Sequence, residues 1–290
     1  MSRRGVLGAA LAGPFWLAAP SAHAARAGYY ALVIGIGSYP FATSLANPPN
    51  DARAVSSALT RLGFTVLGGV DLNREQVGAA VDELIKLKDT ARFIVFYYAG
   101  HGTQINGVNY LLPSDINVGS EGDALRDQLV SINQVVASLD SGVDGVPVLV
   151  MLDACRDNPF STSFSDLLSR SRSAARGAWA PVRQFGVPVA DRYVVGTGLA
   201  RMERGNRLIV SYATTPGNVA LDGDGKNSPY TESLLRYLEV PGLEVGEILN
   251  LTQQAVAERT KANPTGPQFP QTVRSLPDFV YLKRLRAPPR

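Results

Sequence analysis

The sequence predicts an α/β fold, a mainly parallel β-sheet flanked by helices on both faces. Uncharged apolar runs recur at residues 30–36, 93–98 and 148–152. Runs of this length, rich in Val, Ile and Leu, read as strands buried on both faces. Stretches with helical apolar spacing alternate with them, and a β-α-β-α-β order builds a parallel sheet covered by helices. At 290 residues the chain suffices for one large α/β domain or two small ones.

The first strand, 30–36, ends in Gly35-Ile36-Gly37. A dinucleotide fingerprint needs a third small residue at position 40, where Pro40 stands, so nucleotide binding is excluded at this turn. A loop over 41–49 follows, and Asn50 or Asp51 caps a helix carrying Val55, Ala58, Leu59 and Leu62. Residues 64–67 form a second strand. Asn73 with Gln76 opens the next helix as a capping box, with Val77, Ala80, Val81 and Leu84 on one face. The strand over 93–98 ends in a small-residue turn that holds His101 between Gly100 and Gly102. Residues 103–112 form a hairpin about Asn106-Gly107.

Ser131 and Gln134 open a helix with Ile132, Val135, Val136 and Leu139, and the 148–152 strand follows. Residues 161–206, dominated by Ser, Arg and Gly, read as a long inter-strand linker. A strand resumes over 208–213. Ser228-Pro229 starts a helix with Leu234, Leu235 and Leu238, Pro being favourable at the first helical position. Val245, Ile248, Leu249, Thr252 and Val256 mark another, and 279–282 is the expected last strand.

The N-terminus reads as an export signal. Arg3 and Arg4 precede an uncharged apolar stretch over 5–19, and Ala22-His23-Ala24 is a small-x-small cleavage signature. Ser2-Arg3-Arg4 followed by Val6 and Leu7 also resembles a twin-arginine signal. Residues 1–24 are therefore expected to be a signal peptide and the protein periplasmic or secreted, with no stable membrane span after cleavage. The alternative is an uncleaved anchor, against which the short apolar segment and Gly13-Pro14 count. The formal net charge of +3, without blocks of like charge, gives nucleic-acid binding little support.

Cys155, the one cysteine, follows the 148–152 strand, and His101 is the one histidine outside the signal segment. In open α/β sheets functional residues gather beyond the carboxyl ends of strands. A Cys and a His at the ends of neighbouring strands are a candidate nucleophile and base. A lone Cys is otherwise an inert buried hydrophobe, and a lone His a hydrogen-bonded structural residue. An unpaired cysteine in an exported protein is free, which suits a reactive thiol.

YYAGHG at 97–102 and LDACRDNPF at 152–160 resemble the histidine and cysteine motifs of the caspase/metacaspase superfamily, and most closely those of bacterial caspase-like peptidases. Similar blocks are ALVIGIGSY at 31–39, NPPNDARAV at 47–55, NYLLPSD at 109–115, LIVSYAT at 208–214 and ALDGDGKNSPYTESLL at 220–235. The resemblance covers 29–282, leaving 283–290 as a C-terminal tail. It implies a caspase-like fold and a cysteine endopeptidase acting on peptide or protein substrates through a His101–Cys155 dyad. The oxyanion donors are then the backbone N–H groups of Gly102 and Cys155, and a backbone carbonyl could orient His101.

In metacaspases, acids matching Asp51 and Asp153 line a pocket for Arg or Lys before the scissile bond. Asp51, Asp153 and Ser211 are the expected substrate-binding residues, with helix capping the competing role for Asp51 and a satisfied strand-end carboxylate the competing role for Asp153. Asp222-Gly223-Asp224-Gly225 resembles part of a calcium loop, but Ser233 stands where the twelve-residue pattern needs Glu. Many metacaspases use calcium, yet their ligands do not carry onto this chain, and DGDG reads as a polar turn rimming the cleft. No metal or cofactor is expected from these residues, while calcium activation stays open. The rival readings are a catalytically silent member that binds peptides or partner proteins, and another thiol hydrolase such as an amidase. In related caspases and some metacaspases the linker is cut during activation, which implies self-cleavage after an arginine between Arg170 and Arg183; the alternative is a passive insertion or a lid over the cleft.

Overall fold

The apolar runs pair side by side into the central sheet of the computed structural model, which describes residues 15–17, 26–117, 120, 122–139, 145–155, 195–196, 199–202, 207–215, 220–264 and 266–285. The expected signal peptide over 1–24 apart from 15–17, most of the 161–206 linker with the proposed cleavage region, and residues 286–290 of the tail lie outside the described residues.

In chain order the strands are β1 (Phe15–Leu17), β2 (Tyr29–Gly35), β3 (Thr65–Val70), β4 (Phe93–Ile105), β5 (Val108–Leu111), β6 (Val130–Ser131), β7 (Val148–Cys155), β8 (Val195–Gly196), β9 (Leu208–Tyr212) and β10 (Gln271–Arg274). The main path runs β1-β3-β2-β4-β7-β9-β10. Its five central strands are parallel, and β1 and β10 add antiparallel at the two edges. The parallel fold class read from the sequence is thus present. Strands β5 and β8 pair with the far end of β4, and β6 pairs with β5, making a small antiparallel annex.

The helices are α1 (Pro48–Arg61), α2 (Arg74–Leu87), α3 (Gly122–Arg126), α4 (Ile132–Leu139), α5 (Pro229–Tyr237) and α6 (Val245–Thr260). Successive strand side chains point to opposite faces, so each central strand feeds two cores. Leu32, Phe96, Val150 and Val210 pack with the apolar faces of α2 and α4. Val33, Tyr97, Met151 and Ile209 pack on the other side with α1, α5 and α6. The Asn73–Gln76 capping box forms in full, and Asn106 and Gly107 both take positive φ, as a two-residue hairpin turn requires.

Three expectations need correction. Strand β4 does not stop at residue 98; it continues through His101 to Ile105, with Gly100 at φ +149 within it. Helix α1 begins at Pro48, with Asn47 at its cap position making no side-chain cap bond. The last strand is Gln271–Arg274, whose alternating half-buried and exposed residues carry no apolar run, whereas Tyr281 makes only an isolated bridge to Glu244 and Phe279 is exposed. The 161–206 segment is also tied down near its end. There β8 pairs with Gln104 and Ile105, Leu199 and Met202 are buried, and the Asn109 amide both donates to and accepts from the Ala200 main chain. Among the described residues no helix is long and apolar enough to cross a membrane.

Candidate active site

Strands β4 and β7 run parallel in continuous register from Ile94–Val148 to His101–Cys155, so the histidine and the cysteine are direct neighbours where the ladder ends. The turn that carries His101 is shaped by two tyrosines. A Cβ at Gly100 would sit 2.6 Å from the Tyr98 hydroxyl and 2.9 Å from the Tyr39 hydroxyl, so only glycine fits there. Those hydroxyls grip the His101 main chain instead: its N–H donates to Tyr39 Oη (3.0 Å), and Tyr98 Oη donates to its carbonyl (2.7 Å). The Tyr39 ring also packs on the imidazole, with centroids 4.7 Å apart.

His101 is 4% exposed, and its Nε2 lies 2.7 Å from the Thr43 carbonyl oxygen. A carbonyl only accepts, so Nε2 carries the proton and the neutral ring keeps its lone pair on Nδ1. Nδ1 is buried and has no hydrogen-bond partner among the described residues. Burial lowers the imidazole pKa from 6.5, and the Thr43 bond and the Asp222 charge only partly oppose it. The ring therefore rests as a neutral base. Gly102 follows on β4, where a Cβ would lie 3.2 Å from Leu199 Cδ2 and 3.3 Å from Ala154 Cβ.

Beside this pair is a pocket walled by Leu45, Pro48, Gly100 and three carboxylates, Asp51, Asp153 and Asp222. Asp153 continues the face of β7 that carries Leu149 and Met151, which aims it at the start of α5. It accepts hydrogen bonds from Ser228 Oγ and from Thr231 Oγ1 (2.7 Å). Asp51, in the first turn of α1, does not cap its own helix. Its carboxylate accepts from Asn227 Nδ2 (2.8 Å) and Ser228 N (3.1 Å), holding α1 against α5.

No Lys or Arg pairs with either acid among the described residues. Burial, with Asp153 nearby, pushes Asp51 up to about 8. Burial pushes Asp153 up to about 6, against the hydroxyls that favour its charged form.

Asp222 is a pocket acid the sequence reading passed over as part of a polar turn. Its carboxylate accepts from Ala46 N (2.9 Å) and Asn47 N (3.2 Å). Asn47 Nδ2 returns bonds to the carbonyls of Asp222 (2.6 Å) and Gly223 (3.3 Å). Ser211 is not brought to the pocket. It lies buried on β9 in register with Met151, and its Oγ accepts from Tyr230 Oη at 2.7 Å. It shares the α5-facing side of the sheet with Asp153 but lies two residues deeper, level with Met151. Among the described residues no group of three or more His, Cys, Asp or Glu side chains is arranged to hold a metal ion.

The parallel α/β sheet thus sets His101 and Cys155 abreast at the ends of adjacent strands. The caspase domain (peptidase C14) family model matches residues 29–281, and the chain belongs to that family, a cysteine-peptidase family. The crystal structure of caspase-1 from Spodoptera frugiperda has the same fold, with a TM-score of 0.60 and 14% identity over 94% of this chain and 96% of that one. The human mucosa-associated lymphoid tissue lymphoma translocation protein 1 is 28% identical over 126 residues, and its mouse homologue 29% over 126 residues. These matches cover 43% of this chain but only 15% and 14% of those two proteins.

Proposed function

We propose that the protein is an active cysteine endopeptidase that cleaves peptide bonds after Arg or Lys. The observation that carries this reading is the pairing in register of Cys155 with a histidine whose Nε2 is committed to the Thr43 carbonyl, leaving Nδ1 as the base. The Cys155 thiol gives its proton to Nδ1, and the thiolate attacks the scissile carbonyl carbon. The N–H groups of Gly102 and Cys155 receive the oxyanion, each such donor being worth roughly 2.7–4 kcal/mol in the transition state. The imidazolium then protonates the leaving amine as the C–N bond breaks, giving a thioester. Water, deprotonated by the same nitrogen, cleaves the thioester and restores the thiol.

The specificity rests on charge. Asp51, Asp153 and Asp222 face one pocket, and the two buried acids lack a cationic partner among the described residues. A guanidinium or ammonium supplies it. Removal of residues 1–24 during export belongs to the same reading, and the intact mass of secreted protein tests it.

Reporter peptides ending in Arg, Lys, Asp or Leu, offered to the wild type and to Cys155→Ala, test the catalytic claim. Turnover of the Arg and Lys peptides by the wild type alone is expected. Turnover by folded Cys155→Ala would sink the assignment. Saturable binding of basic peptides without turnover by the wild type would mark a silent peptide-binding member instead.

A further inference from the structure

We infer that Asp222 is a positioning residue for the catalytic base, acting through the 37–47 loop; this rests on the peptidase reading above. The loop supplies the Thr43 carbonyl, the one hydrogen-bond partner of the His101 ring nitrogens among the described residues. A main-chain carbonyl orients an imidazole only as firmly as its own loop is held. At the loop's start, Gly37 N and Ser38 N donate to Asp71 Oδ1 (2.8 and 2.9 Å), and Gly37 O accepts from Leu45 N (2.9 Å). At its end, Ala46 and Asn47 are clasped by Asp222, some 175 residues away in sequence.

The clasp is reciprocal. Two loop N–H groups reach the carboxylate, and the Asn47 amide reaches back to the carbonyls of Asp222 and Gly223. Bonds to an ionised acceptor are about twice as strong as neutral ones, so Asp222 is a better latch than an amide would be. The same carboxylate borders the pocket with Asp51 and Asp153. One side chain thus touches both the cation pocket and the loop that sets the tautomer of the base. With the latch open, His101 loses the bond that favours protonation of its ring, and the lone pair is no longer confined to Nδ1.

Two readouts separate this role from a purely pocket-lining one, and neither needs a basic substrate. The first is the tautomer of His101 in 15N-histidine-labelled full-length protein carrying His23→Gln. The second is the rate of Cys155 alkylation by iodoacetamide against pH. Both are compared across the wild type, Asp222→Ala, Asp222→Asn and Asn47→Ala. Asn47→Ala removes the return half of the clasp and leaves all three pocket carboxylates in place.

In the wild type the ring should show a single Nε2–H form. In Asp222→Ala and Asn47→Ala it should become a mixture, and alkylation at pH 7 should slow about fivefold, the factor expected for one net hydrogen bond. Asp222→Asn, which keeps an acceptor oxygen, should fall between. For Asn47→Ala the loss should appear in kcat while KM for an Arg peptide stays near the wild-type value. An unchanged tautomer and alkylation profile in folded Asn47→Ala and Asp222→Asn would overturn the inference. A wild type that cleaves no peptide would instead overturn the peptidase reading, and the tautomer comparison would still decide the role of Asp222.

Discussion

The His101 environment and the Asp51–Asp153 environment lie side by side and are built from opposite materials. Around His101 the neighbours are tyrosine hydroxyls and a main-chain carbonyl. Around the acids they are an amide, hydroxyls, a main-chain N–H and a third carboxylate, without a cation partner among the described residues. Burial pushes each group toward its neutral form, which in the proposed peptidase is the working form of His101 and a waiting form of the acids. A neutral imidazole is ready to take a proton. A pair of buried carboxylates that holds a proton needs an arriving cation to displace it.

The largest expected effect breaks the base side. His101→Ala should lower kcat/KM for basic peptides roughly 10²–10⁴-fold, the range for a positioned acid–base group, with Tm measured alongside to show that the fold survives. On the acid side, Asp153→Ala should spare Leu-peptide turnover relative to Arg-peptide turnover. An ion pair broken in a desolvated site costs about 3–5 kcal/mol, so selectivity for Arg over Leu should drop by two orders of magnitude or more. Equal losses for both peptides would place Asp153 in the chemistry and erase the contrast.

Gly100→Ala tests the hinge between the two regions. A Cβ there forces φ +149 on a residue with a side chain and displaces the Tyr98 and Tyr39 hydroxyls. The strain should cost about 1–3 kcal/mol in urea unfolding, with a loss of activity that Tyr98→Phe reproduces in part.

The smallest effect is in the pH dependence of stability. The acids have folded pKa values raised above 3.8, to about 6 and about 8. Between about 4 and 8 the folded state holds more protons than the unfolded one, so their contribution is complete at low pH and is lost as pH rises through that window. His101 acts in the other direction. Its folded pKa is lowered from 6.5, so stability falls as pH drops below that value. The Tm advantage of Asp51→Asn over the wild type should therefore grow from pH 5 to pH 8, and saturating free arginine should shrink it. A constant advantage would mean the pair is ionised throughout.

Much of this was readable from the chain, because the features are local. The apolar runs of β2, β4, β7 and β9 mark buried parallel strands, and Cys155, His101, Asp51 and Asp153 lie in short recognisable blocks. What escaped reading is what depends on long-range contact or on main chain. Thr43 contributes only a carbonyl, which no side-chain pattern announces. Asp222 looks like one more turn residue until the fold brings it to Ala46 and Asn47. Ser211 sits in a recognisable block, but its distance below the strand ends depends on the β7–β9 register, which pairs it with Met151 and leaves it against Tyr230. Strand β10 is an edge strand half open to solvent, so Gln271–Arg274 lacks the apolar run that drew attention to 279–282 instead.

The bond from His101 to Thr43 also bears on how this site can vary. The orienting group is a peptide oxygen, so many side chains at position 43 could serve equally well, and a saturation library there should be nearly silent. Insertion or deletion of a single residue between Gly37 and Asn47 would not be, since both ends of that span are pinned, one by Asp71 and the other by Asp222. The group that orients His101 is thus encoded as a loop length rather than as an amino acid.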